Sequence, residues 1–453
     1  MAVWFAEKAL LPDGWAHNVS ITISDSGDIT GIVANAAPDG ERLPGIVVPG
    51  MPNLHSHAFQ RAMAGLTEVV ANPSDSFWSW RDLMYRMAAK ITPDQVEIIA
   101  RYLYIEMLKA GYTSVAEFHY LHHDNHGNPY SLQDSLALRI SRAASQSGIG
   151  LTLLPVLYSY AGFSGQPPGQ GQRRFIQDTD SYLALHHYLT AQLAREPMQR
   201  TGLCFHSLRA VTPEQIQQVL AYHAHQPQPV HIHIAEQQKE VDDCLAWCGQ
   251  RPVAWLFDHV AVDHHWCLIH ATHLSVPETD RLAASGAVAG LCPTTEANLG
   301  DGIFPGQRYL SQGGLWGIGS DSHITVSVAE ELRWLEYGQR LQDQRRNRLA
   351  LPDEPAIGNV LYQGALRGGA QALGQKIGRL QPGYRADLLV LDDREPFIAT
   401  ASDAMRLNRW LFACSANPVR HVMTGGRWVI KDGHHADDES LSVAFIRVLK
   451  QLR

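Results

Sequence analysis

Residues 52–60 read PNLHSHAFQ, and this stretch begins the pattern that decides the fold. It closes an apolar, strand-like run with His55 and His57, which point to the same side of a strand because they are two residues apart. Three later stretches repeat the arrangement, namely VHIHIAEQ at 230–237, CLIHATHL at 267–274 and GIGSDSH at 317–323. Each places His, Glu or Asp where an apolar run stops, so the four stretches predict one site built from strand ends.

Around these motifs, apolar strands alternate with amphipathic helical stretches from about residue 51 to about 325. The eight strand candidates are a stretch ending in NLHSH (53–57) and residues 113–120, 148–158, 202–210, 229–236, 266–274, 286–296 and 314–321. Thr92-Pro93 and Thr212-Pro213 each put a capping hydroxyl before a proline suited to the first helical turn. Eight βα units with buried strands predict an α/β protein with a (β/α)8 barrel. A doubly wound sheet is the alternative, but no GxGxxG turn follows the first strand.

Both ends of the chain have β character, with short alternating runs before residue 50 and again after about 375. We expect them to meet in one small, discontinuous β-sandwich domain made of residues 1–50 and 376–453, with a C-terminal helix. Residues 51–375 would then form the catalytic barrel.

The composition describes an ordinary globular enzyme, with 45% hydrophobic and 18% charged residues. The formal net charge of -8 argues against nucleic acid as the main partner, since phosphate binding needs clustered Lys and Arg. No export signal and no apolar stretch of about 20 residues is evident, so we expect a cytoplasmic protein without a membrane span. A homodimer is the expected assembly for a barrel of this size.

The strand-end motifs supply three imidazoles and a carboxylate, a catalytic zinc-type donor set that leaves room for a water. The expected metal ligands are His55, His57, His233 and Asp321. Such an ion lowers the pKa of its water from about 15.7 towards 7. Glu236 would then act as a proton shuttle, while His270 and Asp321 would orient the nucleophile. A two-metal site of this kind often uses a lysine on the fourth strand, and GLCFHSLRA (202–210) has none, so one metal is favoured.

A purely structural role is the alternative to metal ligation for each of these histidines, because the chain contains 23 histidines. A single His on an apolar strand is more often a hydrogen-bonded core residue than a ligand. His231 fits that description, since it shares a face with His233 but lies a layer deeper. The joint pattern of order and strand position favours ligation for His55, His57 and His233.

At this point the chain resembles the amidohydrolase superfamily. PGMPNLHSH (49–57), HIHIAE (231–236), LIHATH (268–273) and GIGSD (317–321) match its motifs in order, and LQPGYRADLLVLD (380–392) resembles its return to the small β domain. The resemblance points to the deaminase branch. Within it, NLHSHAFQRAMAGLTE (53–68), EFHYLHHDNHGNPY (117–130), HSLRAV (206–211) and CPTTEANLGDGIFP (292–305) resemble enzymes that hydrolyse N-formimino-L-glutamate to N-formyl-L-glutamate and ammonia, in histidine degradation.

That substrate is a formamidine on a dicarboxylate, so the resemblance implies a pocket with carboxylate sites and an amidine partner. The implied substrate-binding residues are Gln60, Arg81, Tyr120, His206 and Arg209. Arginine suits this role because its fork binds a carboxylate bidentately. From the sequence alone Arg81 would be an exposed helix residue, and Arg86, one turn beyond, is its substitute.

Two other functions stay open at this stage. The same fold could deaminate guanine, cytosine or a thiomethyladenosine-type nucleoside, or hydrolyse an s-triazine, and Trp78 and Trp80 would suit such a ring. A non-enzymatic scaffold would be expected to have lost a ligand or the shuttle, and none is missing. Zinc is the metal that the resemblance implies, but three His and one Asp would also accept iron, manganese or nickel.

Overall fold

The structure is a computed structural model that describes residues 1–69, 77–224 and 226–452, without the side chains of Trp78 and His223. Its β-strands are β1 (Ala2–Leu11), β2 (Gly14–Ile23), β3 (Ile29–Val33), β4 (Glu41–Arg42), β5 (Ile46–Pro49), β6 (Met51–Ser56), β7 (Tyr112–His119), β8 (Gly150–Pro155), β9 (Gln199–Thr201), β10 (Leu203–Ser207), β11 (Val230–Ile234), β12 (Trp266–His270), β13 (Val288–Leu291), β14 (Leu315–Ile318), β15 (Leu388–Leu391), β16 (Val419–Thr424) and β17 (Arg427–Ile430).

The α-helices are α1 (Phe77–Ala88), α2 (Pro93–Ala110), α3 (Leu136–Ser147), α4 (Thr179–Leu193), α5 (Pro213–His223), α6 (Gln238–Cys248), α7 (Pro252–His259), α8 (Val276–Ser285), α9 (Pro293–Leu299), α10 (Gly306–Ser311), α11 (Val328–Asp343), α12 (Ile357–Leu373), α13 (Pro396–Ala399), α14 (Arg406–Ala413) and α15 (Asp438–Leu452). Short 3-10 turns occupy Ala58–Met63, Leu132–Asp134, Gln170–Gln172 and Asp403–Met405.

The central part of the chain closes into a parallel barrel. Strands β6, β7, β8 and β9 form one parallel sheet, and β10 to β14 form a second. Parallel bridges between Leu157 and Phe205 and between Ser56 and Asp321 join the two sheets on both sides. β9 and β10 occupy one strand position that is interrupted at Gly202. The predicted (β/α)8 barrel is therefore confirmed, and the carboxyl ends of its strands meet at one mouth.

The helix starts follow the capping residues in the sequence. The side chain of Thr92 accepts the Gln95 backbone N–H at 3.3 Å while the Gln95 side chain accepts the Thr92 N–H at 3.0 Å, before α2. Thr212 and Gln215 repeat this capping box before α5. Both boxes satisfy N–H groups that a helix end leaves without partners.

The two ends of the chain share one sheet. Among the described residues its strand order is β17-β16-β15-β5-β1-β2-β3, with β4 also beside β1. Trp4 of β1 and Trp428 of β17 stand four strand positions apart, roughly 19 Å in a flat sheet. Their ring centroids are nevertheless only 5.4 Å apart. The sheet therefore curls over a core of its own, while the domain boundaries at 50 and 375 stay predictions.

Long apolar helices of the kind that span a bilayer do not occur within residues 1–69, 77–224 and 226–452.

Candidate active site

A cleft opens at the carboxyl ends of the barrel strands. Its lining consists of His57, Gln60, Phe77, Trp80, Arg81, Met84, Tyr85, Tyr120, Tyr158, His206, Arg209, His233, Glu236, His270, Leu299 and Asp321. Every site residue expected from the sequence is in this set except His55, which is fully buried and touches His233 and Asp321 from below. The structure thus brings the predicted residues from six of the strand ends to one place.

Three imidazoles and one carboxylate converge at the floor of the cleft. The Nε2 atoms of His55 and His233 are 3.0 Å apart, and the Nε2 atoms of His55 and His57 each lie 3.4 Å from Oδ1 of Asp321. His57 donates its Nδ1–H to the carbonyl of Phe118 at 2.9 Å, and His233 donates its own to the carbonyl of His206 at 3.0 Å. Both rings therefore turn a bare Nε2 lone pair towards the centre of the group.

This cluster fits a divalent metal ion. Burial, reinforced by the neighbouring His57, lowers the pKa of His55 to about 3, and burial also lowers the pKa values of His57 and His233. Burial opposes ionisation of Asp321, yet its contacts with the histidines hold its pKa below the usual value. Neutral imidazoles and an ionised carboxylate at these separations are an electron-rich donor set, and a cation is the group that such a set lacks.

Glu236 and His270 stand beside the cluster, on the side open to the cleft. His270 Nε2 lies 3.7 Å from Oε1 of Glu236 and 3.8 Å from Oδ2 of Asp321. Burial raises the pKa of Glu236 to about 7, which suits a group that takes and returns a proton near neutrality. Burial opposes the charged form of His270, but the carboxylates of Glu236, Glu296 and Asp321 raise its pKa to about 10.

The backbone is strained where the strands deliver these residues. The φ angles of Ala235, His270, Ala271 and Asp321 are 52°, 67°, 48° and 48°, all in the left-handed region that side chains other than glycine seldom adopt. Each such residue costs of order 1–3 kcal/mol, and such residues cluster at functional sites. The left-handed turns end β11, β12 and β14 abruptly and direct the next side chains across the mouth.

Gln60 and Tyr120 form a polar pair above His57. The Gln60 side-chain N–H donates to the Tyr120 hydroxyl at 2.8 Å, and the Tyr120 ring packs edge-on against His57 with centroids 5.0 Å apart. Gln60 Oε1 is buried and has no hydrogen-bond partner among the described residues. An unpaired buried acceptor is costly, so this oxygen marks a place for a ligand N–H.

The opposite wall carries positive charge. Arg209 is 8% exposed, and its Nε lies 4.0 Å from Oε2 of Glu240. Burial opposes ionisation of the guanidinium, but Glu240 raises the pKa of Arg209. Beside it, burial and the neighbouring Arg209 lower the pKa of His206 well below its ordinary value, so that ring is neutral.

Arg81 lines the cleft from α1, and its guanidinium lies 5.4 Å from the ring centre of Tyr85. Arg86 is exposed and does not line the cleft, so the structure distinguishes between the two arginines. The expectation that His231 is a core residue is confirmed, since it is buried and donates from Nε2 to the carbonyl of Ala372 at 2.8 Å. Trp80 lines the cleft, whereas the side chain of Trp78 lies outside the described residues.

Sequence reasoning missed Tyr85 and Tyr158, whose hydroxyls are 3.5 Å apart in the cleft wall. Tyr158 is the last residue of the third strand candidate, so the rule that found the histidines could have found it. Tyr85 lies one turn from Arg81 on α1 and carried no such signal. Glu240, four residues after Glu236 and in the first turn of α6, was also missed.

The comparisons with known proteins agree with this geometry. A sequence model of the amidohydrolase family matches residues 46–429, and one of the N-terminal domain of formimidoylglutamate deiminase HutF matches residues 1–44. The formimidoylglutamate deiminase of Pseudomonas aeruginosa is 63% identical over 453 residues, which is 100% of both chains. A crystal structure of an amidohydrolase from Brucella melitensis superposes with a TM-score of 0.94 at 46% identity, covering 100% of both chains. An adenosine deaminase from Xanthomonas campestris with bound zinc superposes at 0.82 with 20% identity over 100% of this chain and 98% of its own, which is a likeness of fold.

Proposed function

This chain belongs to the amidohydrolase family, among the formimidoylglutamate deiminases, and from that premise we propose that it hydrolyses N-formimino-L-glutamate to N-formyl-L-glutamate and ammonia, in histidine degradation. It is accordingly a metal-dependent hydrolase acting on the C–N bond of a linear amidine. The observation that carries the proposal is the composition of the cleft, which joins a metal donor set to an amide oxygen that has no partner among the described residues and to a wall with two arginines.

One zinc ion is the proposed cofactor, held by His55, His57, His233 and Asp321. Three imidazole nitrogens and one carboxylate oxygen are a set that zinc accepts readily. When bound, such an ion supplies an activated water at neutral pH.

Glu236 moves the proton. The attacking water gives a proton to the Glu236 carboxylate as its oxygen bonds to the formimino carbon. Glu236 passes that proton to the imino nitrogen, which becomes the NH2 group on a tetrahedral carbon. The second proton of the water then moves from the new hydroxyl to this NH2 group through the same carboxylate, the C=O of the formyl group forms, the C–N bond breaks, and ammonia leaves. Its position 3.7 Å from His270 lets the imidazolium hold the carboxylate and face the attacking oxygen.

The remaining residues align the substrate. The Gln60 amide oxygen accepts an N–H of the formimino group, because that oxygen has no partner within the described chain. Arg209 and Arg81 bind the glutamate carboxylates, with Tyr120 and His206 supplying further hydrogen bonds. Binding the amidine at Gln60 and the carboxylates at the arginines places the formimino carbon over the donor cluster, so that binding energy is used to align the reacting atoms.

Arg209→Met is expected to raise KM about 10- to 100-fold with a smaller change in kcat. A charge-assisted hydrogen bond contributes about 1.5–3 kcal/mol, and Met keeps the apolar stem while removing the guanidinium. Steady-state kinetics on N-formimino-L-glutamate checks this, with Arg209→Lys as the partner variant that keeps the charge but loses the fork. An unchanged KM in both variants would contradict a carboxylate site at Arg209.

Arg81→Ala is expected to raise KM about tenfold, whereas Arg86→Ala should leave KM unchanged. The two arginines lie on the same helix, but only Arg81 lines the cleft and Arg86 is exposed. Side-by-side kinetics of these two variants measures the contribution of Arg81 against a matched control. Equal effects of the two substitutions would show that α1 acts as a whole and that Arg81 has no separate role.

Ammonia release tests the function directly. Purified protein loaded with zinc is given N-formimino-L-glutamate, with guanine, cytosine and thiomethyladenosine in parallel. Turnover of the first compound alone supports the proposal. Turnover of an aromatic base instead would leave the metal cluster in place and contradict a carboxylate-binding wall.

The homodimer and the cytoplasmic location stay predictions, and sedimentation velocity checks the first of them.

A further inference from the structure

Glu296 lies directly behind His270 and has no part in the mechanism above. It sits on α9, which follows β13, and is 5% exposed. Its Oε1 is 3.2 Å from Nδ1 of His270, on the side of the ring away from the cleft. The other ring nitrogen, Nε2, faces Glu236 and Asp321.

The same carboxylate oxygen is itself held in place. Oε1 of Glu296 also accepts the backbone N–H of Cys292, the residue that precedes α9, at 2.9 Å. His270, in contrast, has a left-handed backbone with φ of 67°, at the point where β12 ends. A side chain on a strained turn needs an outside contact to define the direction of its ring.

We propose that Glu296 is a positioning residue for the reaction. By accepting the Nδ1–H of His270, it fixes the ring with Nε2 towards Glu236 and the attacked carbon. A carboxylate behind a histidine commonly fixes its tautomer and orientation in this way. The inference rests on the proposed function, to which it adds a residue. The competing explanation is that Glu296 only accepts the N–H of Cys292 and so stabilises the start of α9.

Two substitutions distinguish the effect of the length of the Glu296 side chain from the effect of its negative charge. Glu296→Gln keeps the length of the side chain and an oxygen that can accept both hydrogen bonds, but loses the negative charge. Glu296→Asp keeps the charge, but its carboxylate is shorter by one C–C bond, about 1.5 Å. Positioning predicts that Asp lowers kcat by about 10- to 100-fold, with KM changed less than about threefold, and that Gln stays within about threefold of the original kcat.

Glu331→Asp is the matched control for the contacts of the same helix. Glu331 accepts the backbone N–H of Thr294 at 2.9 Å and also its hydroxyl, and none of its contacts in the described part of the chain is with His270. This variant should loosen α9 without altering His270, so its kcat should stay within about threefold of the original. An equal loss of kcat in Glu331→Asp and Glu296→Asp would overturn the proposal, as would a Gln variant poorer than the Asp variant.

Histidine-labelled NMR spectra provide a measurement that does not need turnover. The Nδ1–H signal of His270, assigned by its disappearance in His270→Asn, should persist in Glu296→Gln and shift or vanish in Glu296→Asp. An unchanged signal in the Asp variant overturns the proposal whatever the kinetics. Absence of wild-type turnover on N-formimino-L-glutamate contradicts the proposed function instead, and the kcat ratios are then read on the base or nucleoside that is hydrolysed.

Discussion

The Glu236→Gln variant is expected to lose about 10³-fold in kcat while retaining its metal and its KM to within about threefold. Glutamine has the size of glutamate and fills the same place, but its amide can neither take a proton from water nor return one to the leaving nitrogen. General acid–base groups contribute about 10²- to 10⁴-fold, and Glu236 would serve in both directions. Ammonia release under saturating substrate, together with metal analysis of the same sample, measures the two quantities.

Glu240→Gln is the control for that experiment. Glu240 is a buried carboxylate four residues further along the chain, in α6, beside Arg209 and not among the residues that line the cleft. The substitution Glu240→Gln should therefore change KM rather than kcat. A Glu236→Gln variant with kcat within tenfold of the original would require a different proton carrier.

Removal of the metal with a chelator is expected to lower activity at least about 10³-fold, with recovery when one equivalent of Zn²⁺ is returned. The ion provides several kcal/mol of stabilisation to the reaction, and each 1.36 kcal/mol is a factor of ten in rate. The unfolding temperature should fall as well, because a ligand that binds only the folded chain stabilises it. Activity assays and thermal unfolding on the same chelated sample check both effects.

His231 and His233 offer a matched pair for this prediction, since they are two residues apart on β11. His233→Asn should lose the metal, whereas His231→Asn should keep it and lose only the hydrogen bond to Ala372. Metal content above one equivalent per chain, or an active chelated protein, would contradict a single essential ion.

The residues at strand ends could be predicted from the sequence because their signals are local. A strand delivers every second side chain to one face, so the short stretches HSH and HIHIAE suffice to indicate the direction of His55, His57 and His233. The capping boxes at Thr92 and Thr212 are local in the same sense. The substrate was predicted from the longer motifs, which resemble those of enzymes that act on N-formimino-L-glutamate.

The features that the sequence does not predict depend on how elements that are distant in the chain pack against one another. The rotation of α1 about its own axis decides that Arg81 faces the cleft and Arg86 faces outwards, and the apolar pattern of a short helix does not define that rotation. Tyr85 was missed for the same reason. The hydrogen bond between Glu296 and His270 joins two different βα units, so neither segment alone indicates it.

The curled sheet at the chain ends sets an order of events during synthesis. Val48 of β5 pairs with Leu389 of β15, so roughly 340 residues leave the ribosome between the two partners. At about 5 to 20 residues per second this takes roughly 20 to 70 s, during which one edge of β5 has no neighbour. An unpaired strand edge is a template for aggregation. β5 is thus among the first strands made but gains its second neighbour only near the end of synthesis, and a nascent chain of this protein depends on protection of that edge until β15 emerges.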